Sequence, residues 1–271
     1  MRIKENNLKT LKYDLNIKIP CIVLIYFDIE VIQKSIHFLL KSNEKLELIV
    51  IENKSEFTDP KIKPFILDLI QQKKISKYIL FEENISNNAI EVFLTKNIEY
   101  IKKHKYIILT DGDFIVESSD WLTEELSIVE KNSNVFACGI SLMMDNLPLK
   151  TFPNAKNWVP PIKKEYNDFY EGLTGAHLLL FRTKDLINFL TYMRKKKLKF
   201  VDSSLHKYCY KIKKKKWART KRNYARHLTW DSYNDSEHPY TKLKVSKPIR
   251  EWWNHDLYCS FKVYTKNDDN T

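Results

Sequence analysis

The first half of the chain alternates between short unbroken apolar runs and longer segments whose apolar residues recur at helical spacing. Cys21-Ile-Val-Leu-Ile-Tyr-Phe27 is β-branched and aromatic throughout, as in a strand buried on both faces. Residues 28–42 then place Val31, Ile32, Ile36, Phe38, Leu39 and Leu40 at helical spacing. Leu46-Glu-Leu-Ile-Val-Ile51 predicts a second strand, ending in the polar loop Glu52-Asn-Lys-Ser55. The same pattern predicts helices over 64–72 and 88–104 and strands over 75–81 and 106–110, the last running straight into Asp111-Gly-Asp113. This alternation predicts an α/β fold with a central, mostly parallel sheet flanked by helices.

The second half is less regular. It predicts a helix over 121–132 and a strand over 135–144. Pro148, Pro153, Pro160 and Pro161 mark 146–167 as a loop. A turn and strand over 172–182, a helix over 183–198 and a helix running into a turn over 206–216 follow. The stretch to His227 reads as a weak strand. From Trp230 the chain reads as irregular up to a helix over 245–256, and 267–271 reads as a frayed tail.

Composition narrows the chemistry. The 271 residues contain 4 glycines, Gly112, Gly139, Gly172 and Gly175, which excludes a Gly-rich phosphate loop and a dinucleotide fingerprint. The net charge of +12 favours an anionic partner. Much of the excess lies in 194–199 and 211–222, which read either as solvated surface or as a site for an anionic membrane, an acidic or diphosphate-linked acceptor, or nucleic acid. No nucleic-acid motif accompanies them, so nucleic acid is not expected. Cys21, Cys138, Cys209 and Cys259 form no C-x-x-C pair, which argues against a zinc ribbon and for reduced thiols. The polar start lacks a secretory apolar region, and no run reaches the ~20 apolar residues of a membrane span. The expectation is a cytoplasmic protein that can lie peripherally on the inner face of a membrane through Lys195–Lys199 and Lys211–Arg222.

Asp111-Gly112-Asp113 is the sharpest chemical signal. Two carboxylates leave a buried strand one residue apart, where α/β sheets bind ligands. Hard cations such as Mn²⁺ or Mg²⁺ take carboxylate and phosphate oxygens, and Gly112 would let the backbone turn and come close. Asp-Gly is also ordinary turn chemistry.

With these elements in order, residues 19–116 resemble the GT-A-fold glycosyltransferases, closest to family 2. Leu24-Ile-Tyr-Phe-Asp28 stands where the family has a Tyr-Asn type pair. Val50-Ile-Glu-Asn-Lys-Ser55 stands for its Val-Asp-Asn-Gly-Ser type loop, Glu83-Asn-Ile-Ser86 for an Asn-(Leu/Ile)-Gly type turn, and Asp111-Gly-Asp113 for its D-x-D. Phe27 replaces Asn, Glu52 replaces Asp, and Lys54 and Ser86 replace glycines. The resemblance implies donor-nucleotide contacts from Tyr26, Glu52, Asn53, Asn84, Asp111 and Gly112, and a metal on Asp111, Asp113 and His227. Tyr170-Glu-Gly-Leu-Thr-Gly-Ala-His-Leu178 is similar to the segment below the donor sugar, which puts Gly172, Gly175 and His177 in the sugar and acceptor region with Trp230 and Asp231. Asp202 stands where inverting members have a general base, although Asp202 or Ser203 would serve equally as a helix cap.

The implied activity is metal-dependent transfer, with inversion, from a nucleotide-diphosphate sugar (a UDP-sugar first) to a hydroxyl of a glycan or lipid-linked acceptor in surface polysaccharide or glycoconjugate synthesis. The implied organisation is one catalytic domain, 1–245, with a donor half at about 19–135, an acceptor half at 136–245 and an extension at 246–271. A sugar nucleotidyltransferase is the enzymatic alternative. The other is a non-catalytic protein that binds nucleic acid or a membrane surface through its basic residues.

Overall fold

The computed structural model describes residues 18–42, 44–247 and 258–266. In chain order the first half is β1 (Ile19–Ile25), α1 (Ile29–Leu40), β2 (Leu46–Asn53), α2 (Lys63–Gln71), β3 (Lys77–Phe81), α3 (Asn88–Lys96), α4 (Ile98–Ile101), β4 (Tyr106–Asp111), β5 (Phe114–Val116) and α5 (Trp121–Lys131). The second half is β6 (Val135–Leu142), β7 (Lys164–Glu165), β8 (Tyr170–Glu171), β9 (Leu179–Arg182), α6 (Thr183–Lys195), α7 (Asp202–Lys207), β10 (Lys216–His227), α8 (Leu228–Asn234), α9 (Pro239–Val245) and β11 (Phe261–Tyr264). Short π- or 3₁₀-helical turns occupy Thr58–Ile62, Pro153–Asn157 and Tyr208–Lys213.

The described strands form one sheet in the order β11-β3-β2-β1-β4-β9-β6-β10-β8-β7, with β5 pairing on β10. The core β3-β2-β1-β4 is parallel, and so is β6-β10. β9 is inserted antiparallel between β4 and β6. The predicted α/β fold with a parallel core is therefore present, while, β6-β10 apart, the pairings around that core are antiparallel.

Period-two alternation sends residues to opposite faces. On β2, Leu48 and Val50 pack in one apolar cluster and Ile49 in the other with Ile51. Cys21, Val23 and Ile25 of β1 join the first cluster, Ile22 and Leu24 the second. A strand buried on both sides needs this unbroken apolar composition.

Several expectations are revised. The helix over 88–104 breaks at Asn97, whose backbone leaves the helical region, giving α3 and α4. The weak strand before His227 is β10, twelve residues long and central enough to pair with β5, β6 and β8. Its bend is clamped by buried Glu124, whose carboxylate accepts the backbone N–H groups of Lys221, Arg222 and Asn223 and the Asn223 side-chain amide. The stretch after Trp230 is not irregular: α8 and α9 occupy it, with Pro239 at the first turn of α9. Most of the helix expected over 245–256, and the tail 267–271, lie outside the described residues. β11 adds antiparallel to the β3 edge.

Candidate functional site

The parallel strands point their C-terminal ends into a cleft of about 620 Å³. At the end of β4 the Asp111 N–H donates to the Ala176 carbonyl at 3.0 Å and the Gly112 N–H to the Leu24 carbonyl at 2.7 Å. A Cβ on Gly112 would sit 2.4 Å from Ile25 Cγ2. Gly112 has no positive φ, so it serves close approach to β1 and not the turn dihedral expected for it.

Asp113 Oδ2 accepts a 2.6 Å hydrogen bond from Thr229 Oγ1 and lies 3.4 Å from His227 Nδ1. The His227 ring stacks on Trp230, with centroids 4.7 Å apart and planes 12° apart, and meets the Phe114 ring edge-on at 4.6 Å. Burial lowers the His227 pKa despite the opposing pull of Asp113 and Asp231, so the imidazole is neutral at pH 7. Asp113 Oδ1 is buried without a hydrogen-bond partner.

Asp202 opens α7 at the edge of the same space, and a relay of contacts ties that helix to the segment before Gly175. His206, one helical turn on, places Nε2 2.9 Å from the Thr174 carbonyl. Thr174 Oγ1 accepts from Trp217 Nε1 at 2.9 Å. A Cβ on Gly175 would lie 2.9 Å from His177 Nε2 and 3.3 Å from Asp202 Oδ2, so the absent side chain leaves room between them. No side-chain hydrogen bond caps α7, which sets aside the capping role for Asp202 and Ser203. Although the Asp202 side chain reaches solvent, the crowding cleft walls push its pKa up to about 6. Asp111 is raised well above the usual carboxylate range by burial and then by the charges of Asp113 and Asp202.

Lys244, near the end of α9, lines this cleft and is 9% exposed. Burial and Lys247 bring its pKa down to about 8, while Asp113 and Asp111 favour its charged form. Asp28 ties the start of α1 to α8 and to the residue before α9. One carboxylate oxygen accepts from Glu30 and Val31 N–H groups to cap α1, and the other accepts from Ser232 Oγ at 3.2 Å and lies 3.4 Å from His238 Nε2.

Of the residues expected from sequence, Tyr26, Asn53, Asn84, Asp111, Gly112, Asp113, His177, Asp202, His227 and Trp230 line the cleft, and Gly175 adjoins it. Asn53 pins the loop after β3 by accepting from Ile85 N–H and donating to the Ser86 carbonyl. Ser86, at the position the resemblance gives to glycine, has φ 54°, so the left-handed backbone persists without the glycine. Phe27, at the position given to Asn, has φ 71° and is held between the rings of Tyr240 and Phe57.

Three expected residues lie elsewhere. Glu52 is fully buried on the face of β2 opposite to Asn53, where its carboxylate accepts from Thr58 and Tyr78 hydroxyls and burial raises its pKa to about 7. Gly172 packs against Arg219 and the Pro161 carbonyl. Asp231 is taken by Arg226 and Asn146. The set Asp111, Asp113 and His227 is also not assembled as a ligand group. Among the described residues no three His, Cys, Asp or Glu side chains converge to hold an ion. The residues that sequence reasoning missed are Asp28, Thr229, Tyr233, Tyr240 and Lys244. His238-Pro239 was a usable helix-start signal for α9.

No family model matches the chain. Three uncharacterized proteins of Acanthamoeba polyphaga mimivirus are 42%, 41% and 39% identical to it over 91%, 93% and 93% of its length. The chain spans 50%, 35% and 29% of theirs. Among solved structures, a putative nucleotide-diphospho-sugar transferase from Desulfovibrio desulfuricans G20 matches with a TM-score of 0.42 and 9% identity over 75% of this chain and 80% of that one. A CMP:2-keto-3-deoxy-manno-octonic acid synthetase complexed with CTP matches with a TM-score of 0.45 and 11% identity over 74% and 89%. The glycosyltransferase GlyE of Streptococcus pneumoniae TIGR4 gives 0.38 and 11% over 93% and 55%. At these scores the likeness is one of outline and assigns no activity to this chain.

Proposed function

We propose that the cleft transfers a glycosyl group from a nucleotide-diphosphate sugar to a hydroxyl of a glycan or lipid-linked acceptor. The observation that carries this reading is the gathering of Asp111, Asp113 and Asp202 around one cleft at the ends of parallel strands, with Lys244 in the same wall. Three carboxylates repel one another unless a cation joins them.

The unpartnered Asp113 Oδ1 beside Asp111 suits a hard divalent ion, Mn²⁺ or Mg²⁺, that shares its shell with phosphate oxygens. Asp113, with Asp111, would hold that ion, which when bound neutralises charge on a diphosphate leaving group. Thr229 and His227 keep the Asp113 carboxylate in place, and the Lys244 ammonium offers the diphosphate a second positive charge. Asp202 accepts the acceptor hydroxyl's proton as that oxygen bonds to the anomeric carbon. The bond from that carbon to the diphosphate breaks, its electron pair leaves on the phosphate oxygen, and the configuration inverts.

The test is release of nucleoside diphosphate from a panel of nucleotide sugars, UDP-sugars first, with and without Mn²⁺. Release that needs both metal and Asp113 supports the reading. Unaltered turnover in a folded Asp113→Asn variant overturns it. Pyrophosphate formed from a nucleoside triphosphate and a sugar phosphate would identify a nucleotidyltransferase instead.

A further inference from the structure

The segment 186–230 contains 15 Lys and Arg and one acid, Asp202, so it carries more positive charge than the whole chain and leaves the remainder slightly negative. The structure divides these bases into two groups. Lys215 pairs with Asp185, Lys221 with Glu165, Arg222 with Asp120, and Arg226 with Asp145 and Asp231. Arg219 is buried and donates to the Pro160 carbonyl. These five bases belong to the fold.

A second group faces water. Lys195, Lys196 and Lys197 at the end of α6 are exposed, as are Lys207, Lys211, Lys213 and Lys214 around the π-helical turn Tyr208–Lys213. The two runs are packed together. Tyr192 of α6 lies on Tyr208 with ring centroids 5.0 Å apart, and the Lys213 ammonium sits 5.7 Å from the centre of the same Tyr208 ring. Amid the lysines Ile212 is 45% exposed, and Lys214 turns the chain with φ 50°.

We propose that this face, with Ile212 at its tip, docks the protein on an anionic lipid surface. Several lysines around one protruding aliphatic side chain match what an interfacial site uses: charge attraction to acidic headgroups and a small apolar group for the acyl boundary. Nucleic acid fits less well. Base stacking needs open aromatic faces, whereas Tyr208 and Trp217 are buried here and half-buried Tyr192 packs against Tyr208. The inference stands independently of the glycosyl-transfer reading, since it uses no residue of the cleft.

The experiment is flotation of the full chain with vesicles of phosphatidylcholine alone or containing phosphatidylserine. Binding that requires phosphatidylserine and weakens as salt rises supports the proposal. Lys211→Gln/Lys213→Gln/Lys214→Gln is expected to weaken partition on the order of a hundredfold, and Ile212→Ser severalfold. Lys73→Gln/Lys74→Gln/Lys131→Gln, on exposed positions elsewhere, is expected to bind as the parent does. Absence of binding by the parent protein, equal partition onto phosphatidylcholine alone, or equal loss in both triple variants overturns the proposal. Retention of an RNA or DNA probe in place of vesicles also overturns it.

Discussion

His227 holds Nδ1 3.4 Å from Asp113 Oδ2 while lying flat on Trp230, and Thr229 donates a hydrogen bond to that same oxygen. One carboxylate oxygen is thus occupied and the other left without a partner. Removing the charge should matter more than loosening its support. Asp113→Asn is expected to lower kcat on the order of a hundred- to a thousandfold, and Thr229→Val by about tenfold. Nucleoside diphosphate release by variants with unchanged thermal unfolding measures both. Equal effects of the two substitutions would contradict the assignment.

Turnover should follow a bell in pH. Asp202, pushed up to about 6, must be ionised to accept a proton, so the rate rises through that value. Lys244, brought down to about 8, must stay protonated to face a diphosphate, so the rate falls above it. Asp202→Asn should lose the acid limb along with about a hundredfold or more of the rate. Lys244→Met should lose the alkaline limb and raise the donor KM. Rate–pH profiles of the three proteins decide this.

How much of this was legible depends on chemistry at each residue. The strands buried on both faces announce themselves because every position is apolar, and Asp111 and Asp113 stand out because they end such a strand. Glu52 looked equivalent, but alternation along β2 sends it to the side of Leu48 and Val50 and sends Asn53 to the cleft side. β10 was faint because Lys-Trp-Ala-Arg-Thr-Lys-Arg-Asn pairs a buried face with long basic side chains. Lys244 was illegible: seven-residue α9 has little periodicity to read, and a lysine near its end reads as a solvated one.

Glu125 is fully buried on α5, and neither carboxylate oxygen has a hydrogen-bond partner. Burial, and then the Glu124 charge, raise its pKa well above the usual range. The folded protein therefore holds a proton that the unfolded chain releases above its ordinary carboxylate pKa, so this contribution to stability is present at low pH and declines as pH rises. Glu125→Leu is expected to stabilise the fold by roughly 1–3 kcal/mol at pH 8 and to flatten the pH dependence. Urea denaturation at pH 5 and pH 8 reads both effects, and a less stable variant at pH 8 would refute the account.

Gly112→Ala should destabilise without touching the carboxylates. The new methyl would meet Ile25 Cγ2 at 2.4 Å and the Leu24 carbonyl oxygen at 3.3 Å. The strain of such overpacking is about 1–3 kcal/mol. Ile25→Ala removes that Cγ2 methyl, so Gly112→Ala combined with Ile25→Ala should lose less than the sum of the two single losses, and melting curves of the three variants test this.

β11 lies along β3 with Phe261 opposite Phe81 and Tyr264 opposite Tyr78. Without it, Phe81, Leu80, Ile79 and Tyr78 would line an open apolar margin, the kind that recruits foreign strands into aggregates. With it, the outermost strand carries exposed Lys262, a poor template for further pairing. Proteolytic trimming between α9 and β11 would therefore cost colloidal stability: the shortened chain should precipitate at concentrations the intact chain tolerates, even if its cleft were untouched.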